Sequence, residues 1–213
     1  MDEVVGHMRE KIILSDDYEN LPQPMRKQPT CKIEEFLPYD GGEDGVPAMP
    51  PFGLGYRWHV TGLIHDETGF PNGSPAATKK AMDRQYHKLA DHYDDVVKVE
   101  DFKMDGAEFA VVAFGGAART AWDAVTMARA EGLKVGLVRP LTIWPFAQKH
   151  MEALAGKVKG ILVHELNCGQ YVGEVERAVK GKVPVFSYGK YDNEPATPAE
   201  LLAEIKKAMG GIK

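Results

Sequence analysis

Apolar residues recur in a regular unit over the C-terminal half of this chain. Four runs rich in Val, Ile, Leu and Phe lie at 108–114, 134–138, 160–164 and 183–188. Each run precedes a stretch with helical spacing, and these stretches cover 118–131, 146–155, 170–180 and 198–209. The runs lack apolar–polar alternation, which is typical of strands covered on both faces. Such repeated strand–helix units predict an α/β domain over 101–213, with three layers and an open, mostly parallel sheet.

The residues at the helix ends agree with this periodicity. The final helical stretch opens with Thr197 as an N-cap, Pro198 in the first turn and Glu200 at the capping-box position. A glycine that can adopt the left-handed conformation is expected to close each of the four stretches, and these glycines are Gly132, Gly156, Gly181 and Gly210.

One long connecting helix is predicted before this domain, over 76–100. Ser74 and Pro75 supply an N-cap and a first-turn proline. Apolar side chains then recur at helical spacing, and we expect them to form the core-facing stripe of the helix: Met82, Tyr86, Leu89 and Tyr93.

The first 75 residues have a different character. They hold nine of the 14 prolines, which remove backbone donors and disfavour regular helix or central strand. They also carry many aromatic residues, including Phe36, Tyr56 and Trp58, which a solvated linker would not. The pattern predicts a short N-terminal helix followed by a proline-rich segment that wraps the α/β domain.

Composition excludes several classes of function. The formal net charge of -5 and the pI near 5.8 argue against nucleic acid as a partner. No apolar run approaches the roughly 20 residues that span a bilayer, and the N-terminal sequence does not resemble a secretory signal, so we expect a cytoplasmic protein without membrane insertion. Cys31 and Cys168 form no CxxC pair, which excludes a disulfide framework and a four-thiolate metal site built from this chain alone.

Candidate chemistry lies in the loops that follow the predicted strands. In open parallel sheets, ligands and partners meet the protein beyond the carboxyl ends of the strands, so we expect three of these loops to form one rim. Arg139 and Glu165 stand at adjacent strand ends and are expected to pair. The candidate rim residues are Gly115, Gly116, Arg119, Arg139, Thr142, Trp144, Glu165, Asn167, Gly169 and Gln170.

Each chemical interpretation of the rim competes with a structural one. The Gly115-Gly116 pair either offers helix N–H groups to a phosphate or forms a tight turn, and the absence of GxGxxG favours the turn. His164-Glu165 lacks the second histidine of HExxH, which argues against zinc. Cys168 has no base beside it in the sequence, which favours a buried structural thiol over a nucleophile.

A second candidate site is the polar segment 59–69. Its histidines and carboxylates are of the types that ligate a metal or move a proton, but hydrogen bonds that hold a loop in place explain such residues more often. The candidate residues here are His59, Thr61, Gly62, His65, Asp66 and Glu67.

Together these motifs resemble the α subunit of 2-oxoacid:ferredoxin oxidoreductases. The resemblance is carried, in chain order, by DEVVGHMRE (2–10), by the stretch at 47–69 that ends in HVTGLIHDETG, by FGGAARTAWDAV (114–125), by RPLTIWPF (139–146), and by VHELNCGQ (163–170) with TPAEL (197–201). It covers nearly the whole chain, and the HVTGLIHDETG wording is most similar to the 2-oxoglutarate branch.

The resemblance implies a transketolase C-terminal-like fold and a supporting role in oxidative decarboxylation of a 2-oxoacid with coenzyme A. It also implies that a pyrimidine-binding domain is missing, with 2–10 as its last helix. Thiamine diphosphate, Mg and an iron–sulfur cluster are then expected in the complete complex, and none of them on this chain alone. The implied partners are that pyrimidine-binding domain, the β subunit and, through the complex, ferredoxin, in a homo- or hetero-oligomer.

The resemblance assigns no catalytic residue, cofactor ligand or metal ligand to this chain. Two other readings stay open from the residues themselves. One is a free-standing α/β interaction domain, and the other is a nucleotide-binding module that uses Gly115 and Gly116.

Overall fold

The computed structural model describes residues 6, 7, 9, 11, 13–21 and 26–212. The chain forms two compact units, one over 11–93 and one that contains 94–212. The short helix predicted over 2–10 lies mostly outside the described residues. Within the part that the structure describes, no helix is long and apolar enough to cross a bilayer.

The C-terminal unit alternates strands and helices. Its strands are β1 (Val99–Phe102), β2 (Phe109–Ala113), β3 (Val135–Pro140), β4 (Ile161–Glu165) and β5 (Val185–Gly189). Two helices precede them, α1 (Pro75–Ala90) in the N-terminal unit and the short α2 (Tyr93–Val96). The helices of the C-terminal unit are α3 (Gly115–Ala130), α4 (Gln148–Leu154), α5 (Tyr171–Val179) and α6 (Pro198–Gly210). All four predicted strand–helix pairs are present.

The strands form one sheet in the order β1-β3-β2-β4-β5. The four predicted strands are parallel to one another, whereas β1 is antiparallel to β3 at the edge. The sequence pattern missed β1 and assigned its first two residues to the end of the connecting helix predicted over 76–100. A four-residue strand with the sequence VEDF has no apolar run, and it forms because β3 offers a free edge.

Two apolar layers cover the sheet. One packs α3 and α6 on one face and includes Leu137, Leu162 and Leu201, and the other packs α4 and α5 on the opposite face around Val163 and Met151. This arrangement confirms the predicted three-layer, mostly parallel α/β fold. The uninterrupted apolar runs are explained by burial of the central strands on both faces.

Two of the four glycines close helices as predicted. Gly132 and Gly181 have φ of 84° and 71°, in the left-handed region. Gly156 and Gly210 were predicted wrongly: α4 ends at Leu154 with Ala155 as a right-handed C-cap, and Gly210 is still helical. These helices end without a left-handed residue because right-handed caps donate back to the last-turn carbonyls.

The N-terminal unit contains α1 (Pro75–Ala90), which begins at the predicted Ser74 cap. The helix ends ten residues before the predicted end at 100, since Asp91 caps it and a separate turn follows. The predicted core stripe is also wrong for Met82, Tyr86 and Leu89, whose side chains are exposed. Helical spacing identified an apolar face here without showing what would cover it. Wrapping of the α/β unit by 15–60 stays a prediction.

Candidate functional site

The carboxyl ends of β2, β3 and β4 lie along one edge of the sheet. Because β2 and β4 are neighbours and continue into helices on opposite faces, their loops diverge at this edge. Such a divergence opens a crevice that ligands and partners of α/β proteins commonly use. The structure therefore brings the three predicted loops to one edge, which we call the rim.

Glu165 organises the rim from inside. Its side chain is buried at the end of β4, and its carboxylate accepts the backbone N–H groups of Gln170 at 3.2 Å, Tyr171 at 2.7 Å and Val172 at 2.9 Å. These donors lie at the start of α5, where backbone N–H groups have no acceptor within the helix. The negative charge also complements the positive end of the helix dipole. Glu165 thus fixes the position of α5 against the sheet.

The predicted Arg139–Glu165 pair is absent. Arg139 instead donates from Nη1 to Glu100 Oε2 on β1 at 3.0 Å, and both side chains are more than a third exposed. The reason is the unpredicted edge strand, which brings Glu100 opposite Arg139 in the register. Glu165 has its acceptor positions filled by backbone donors.

Asn167 and Gly169 shape the turn that leads into α5. Asn167 Oδ1 accepts the N–H groups of Gly169 at 2.7 Å and Gln170 at 3.0 Å, and Gly169 has φ of 97°. The Gln170 side chain makes no capping bond and is exposed. Asn167 and Glu165 are therefore internal caps, whereas Gln170 is presented outward.

Gly189 is a rim residue that the sequence analysis missed. A Cβ at this position would overlap the backbone carbonyl oxygen of Asn167. Only glycine at the end of β5 allows the Asn167 turn to approach this closely. In the sequence, Gly189 is visible only as a glycine that follows the apolar run at 183–188, and a glycine at such a position is also typical of an ordinary turn.

The loop after β3 is held at one point and exposed at another. The Thr142 hydroxyl donates to the carbonyl of Val96 at 2.6 Å and accepts from the N–H of Lys98 at 3.2 Å. The Trp144 side chain is 69% exposed. It borders a small apolar cavity of about 200 Å³ that also includes Phe114 and Tyr171.

Gly115 and Gly116 begin α3 directly after β2. Gly115 has φ of 56°, and Gly116 is buried. The tight entry into the helix supports the structural interpretation of this pair. Arg119, one turn further, is exposed and lines a shallow surface depression with Trp122 and Arg139.

His164 lies directly beneath the rim. It is fully buried, stacks on Tyr188 with a centroid separation of 5.1 Å, and its Nδ1 lies 2.9 Å from the Tyr188 carbonyl oxygen. Burial lowers the pKa of the imidazole because the charged form is desolvated. A neutral ring whose Nδ1–H donates to this carbonyl fits these contacts.

Cys168 was predicted as a buried thiol, and this was wrong. The residue is exposed at the tip of the loop after β4. Cys168 lies within the turn in which Asn167 accepts the N–H groups of Gly169 and Gln170, and this turn leaves it at the surface.

The second candidate site, in the N-terminal unit, is a hydrogen-bonded loop. Thr61 Oγ1 lies 2.6 Å from Nε2 of His65, which is buried, and the Tyr39 hydroxyl donates to the His59 carbonyl at 2.9 Å. The rings of His59 and His65 are 5.1 Å apart. Gly62 is exposed at the loop tip. The loop therefore presents His59, Thr61 and Gly62 outward above a buried histidine.

The two carboxylates of this segment stabilise the loop. Asp66 accepts from Thr68 and from the Asn72 amide at 3.0 Å, and these bonds lower the pKa of Asp66. Glu67 pairs with Lys80 on α1, which lowers the pKa of Glu67. Among the described residues, no group of three or more His, Cys, Asp or Glu side chains could hold a metal ion. The contacts support the loop-stabilising interpretation.

The cysteines of this chain do not fit an iron–sulfur cluster bound by this chain alone. An iron–sulfur cluster takes four thiolates, and this chain has two cysteines, one in each unit.

Comparison with known proteins matches both units. Residues 107–201 match the family described as pyruvate:ferredoxin oxidoreductase core domain II. The chain is 39% identical, over 97% of its length, to the 2-oxoglutarate synthase subunit KorA of Methanothermobacter thermautotrophicus. It is also 39% identical, over 94% of its length, to KorA of Methanocaldococcus jannaschii.

A solved structure agrees with these relatives. It is a 2-oxoglutarate:ferredoxin oxidoreductase from Magnetococcus marinus with 2-oxoglutarate, coenzyme A and succinyl-CoA bound. The match covers 80% of this chain and 30% of that chain, with a TM-score of 0.64 and 25% identity. The chain spans 54% and 52% of the two KorA subunits, respectively. As its motifs predicted, the chain belongs to the 2-oxoacid:ferredoxin oxidoreductase family and corresponds to a C-terminal-type portion of the α subunit.

Proposed function

We propose that the chain is a supporting portion of a thiamine-diphosphate-dependent 2-oxoacid:ferredoxin oxidoreductase, with 2-oxoglutarate as the 2-oxoacid. The observation that carries this proposal is the 39% identity to a 2-oxoglutarate synthase subunit over 97% of the chain. In the net reaction, the bond between the carbonyl carbon and the carboxylate breaks and releases CO2. The coenzyme A thiol forms a thioester with the acyl group and loses its proton, and the electron pair passes to oxidised ferredoxin.

In this proposal, the cofactors are held by other parts of the complex. Thiamine diphosphate supplies the carbanion chemistry, with Mg, between a pyrimidine-binding domain and the β subunit, and an iron–sulfur cluster carries the electrons towards ferredoxin. The complex acts in the cytoplasm. This chain contributes scaffold and positioning rather than reacting groups.

The rim and the segment 59–69 are the parts of the chain that we assign to neighbouring subunits or domains. The buried cap by Glu165 holds the rim in one conformation. The outward-facing Trp144, Arg119 and Gln170 can then meet a partner without reorganisation of the loops. In the N-terminal unit, the exposed Thr61 and Gly62 play the same part.

The test is reconstitution. We expect this chain alone to give no 2-oxoglutarate- and coenzyme-A-dependent reduction of a viologen dye. The complex formed with the β subunit and the pyrimidine-binding polypeptide should give it, with 2-oxoglutarate preferred to pyruvate. Turnover by the isolated chain, or a fully assembled complex without 2-oxoacid activity, would contradict the proposal.

Two rim variants separate an interface from an internal cap. Gln170→Ala removes an outward side chain and should weaken assembly with the β subunit while leaving the unfolding curve of the isolated chain unchanged. Asn167→Ala removes two internal hydrogen bonds and should weaken assembly with the β subunit and also lower the stability of the isolated chain. Sedimentation and urea titration measure the two effects. Unchanged assembly with Gln170→Ala would exclude this side chain from the interface.

A further inference from the structure

The N-terminal unit contains a groove of about 620 Å³ with an unusual lining. Its walls are apolar and aromatic, and they include Phe36, Val46, Met49, Trp58 and Val60. Phe52 stacks on Trp58 with ring centroids 5.3 Å apart and is 91% exposed, and Leu54 nearby in the chain is 57% exposed. We call this groove, with Phe52 and Leu54, the apolar groove.

The unit around this groove has almost no core of its own. Among the described residues of 11–93, the buried apolar side chains are those of Pro50 and Ala81. Ordering the backbone of a residue costs about 1–2 kcal/mol, which burial of apolar side chains must offset. Large apolar side chains that remain exposed in a folded unit mark a surface that another molecule covers.

The charges on the groove indicate the chemistry of that molecule. Four cations line it, Arg26, Lys27, Arg84 and Lys88, and no Asp or Glu is among its described lining residues. Lys27 pairs with Asp44 at 3.1 Å, whereas Arg84 contacts the carbonyl oxygen of Gly45 at 3.3 Å. A complementary partner therefore presents apolar side chains flanked by carboxylates.

The comparison with KorA identifies a polypeptide of suitable size and origin. Both units of this chain are matched in the KorA of M. thermautotrophicus, yet the match accounts for 54% of that subunit. The matched part is of C-terminal type, so in that subunit the unmatched polypeptide leads directly into the equivalent of the N-terminal unit. Of the two units, this is also the one that lacks a core.

We propose that the apolar groove docks the polypeptide that forms the remaining part of a KorA-type subunit, through a segment with apolar side chains flanked by carboxylates. This inference rests on the proposed function for the identity of the partner. It adds the surface that receives the partner and the kind of segment that binds there.

The test fuses the unmatched N-terminal part of M. thermautotrophicus KorA to this chain and compares backbone hydrogen exchange in the fusion and in the chain alone. We expect the amides of 46–63 to exchange roughly tenfold or more slowly in the fusion. The amides of β2 report folding of the C-terminal unit and should be equally protected in both. Residues 46–63 that are equally protected in the chain alone, or that stay unprotected in the fusion, would overturn the proposal.

A matched pair of variants locates the effect. Leu54 and Met127 are both exposed, at 57% and 40%, but lie in different units, and Met127 is in the last turn of α3, at the opposite end of that helix from the rim. In the fusion, Leu54→Asp should remove most of the added protection at 46–63, and Met127→Asp should leave it unchanged. Equal responses of the two variants would show that the groove is not the docking surface.

The same exchange measurement on the reconstituted oxidoreductase separates this inference from the proposed function, and it also serves if the fusion does not fold. A protected groove in a complex that does not oxidise 2-oxoglutarate would contradict the function and support the docking surface. An active complex with an unprotected groove would support the function and contradict the docking surface.

Discussion

The two units of this chain differ in the interactions that hold them together. The C-terminal unit buries its apolar residues in two layers against a five-stranded sheet. Its buried Glu165 carboxylate accepts backbone N–H groups at the start of α5. The N-terminal unit is held by hydrogen bonds, ring contacts and ion pairs at its surface, such as those of Tyr56, Asp66 and Lys27. The C-terminal unit therefore has an apolar core of its own, whereas the N-terminal unit depends on local polar and ring contacts.

The largest expected difference between the units comes from removing an apolar side chain. Leu201 is fully buried between α6 and the sheet, and Leu201→Ala should lower the free energy of unfolding by about 2–5 kcal/mol. Leu54→Ala, at an exposed position in the N-terminal unit, should change it by less than about 0.5 kcal/mol. Urea titration followed by circular dichroism compares the two. A large loss with Leu54→Ala in the isolated chain would show that the N-terminal unit is already covered.

A smaller difference is expected for the capping carboxylates. Glu165→Ala leaves buried N–H groups at the start of α5 without an acceptor and should cost about 1–3 kcal/mol. Glu165→Gln keeps an acceptor oxygen and should cost less. Asp66→Ala, in the exposed loop of the other unit, and Arg139→Ala, in a partly exposed pair, should each cost less than Glu165→Ala. The same titration measures all four, and a cost of Arg139→Ala equal to that of Glu165→Ala would contradict the assignment of the cap.

The smallest effect is a pH dependence that belongs to the C-terminal unit. Burial lowers the pKa of His164 below its ordinary 6.5, so the unfolded chain binds a proton before the folded chain does. Stability should therefore fall as the pH drops below about 6.5 and stop falling below the folded-state pKa, with a slope of at most about 1.4 kcal/mol per pH unit.

His164→Gln should remove this component, and His59→Gln, at an exposed position in the N-terminal unit, should leave it in place. The free energy of unfolding measured between pH 5 and pH 7.5 for the three proteins provides the check. An unchanged slope in His164→Gln would assign the pH dependence to another group.

The sequence by itself determined most of the C-terminal unit. Uninterrupted apolar runs are the signature of strands buried on both faces, and helical spacing between them leaves few alternatives to a parallel α/β sheet. The capping box at Thr197 was also predictable, because its hydrogen bonds connect residues three positions apart. The motifs shared with the 2-oxoacid:ferredoxin oxidoreductases could be identified from the sequence because each is a continuous segment.

Tertiary structure alone decided the features that depend on distant partners. Strand β1 exists because β3 has a free edge. With β1 present, Arg139 pairs with Glu100 and not with the predicted Glu165. Exposure of Cys168 follows from the turn around Asn167. The stripe on α1 shows the limit most directly, since spacing identifies an apolar face but burial requires a second surface. In a chain that spans about half of its curated relatives, local pattern specifies the elements, and contacts with distant residues specify which faces are covered.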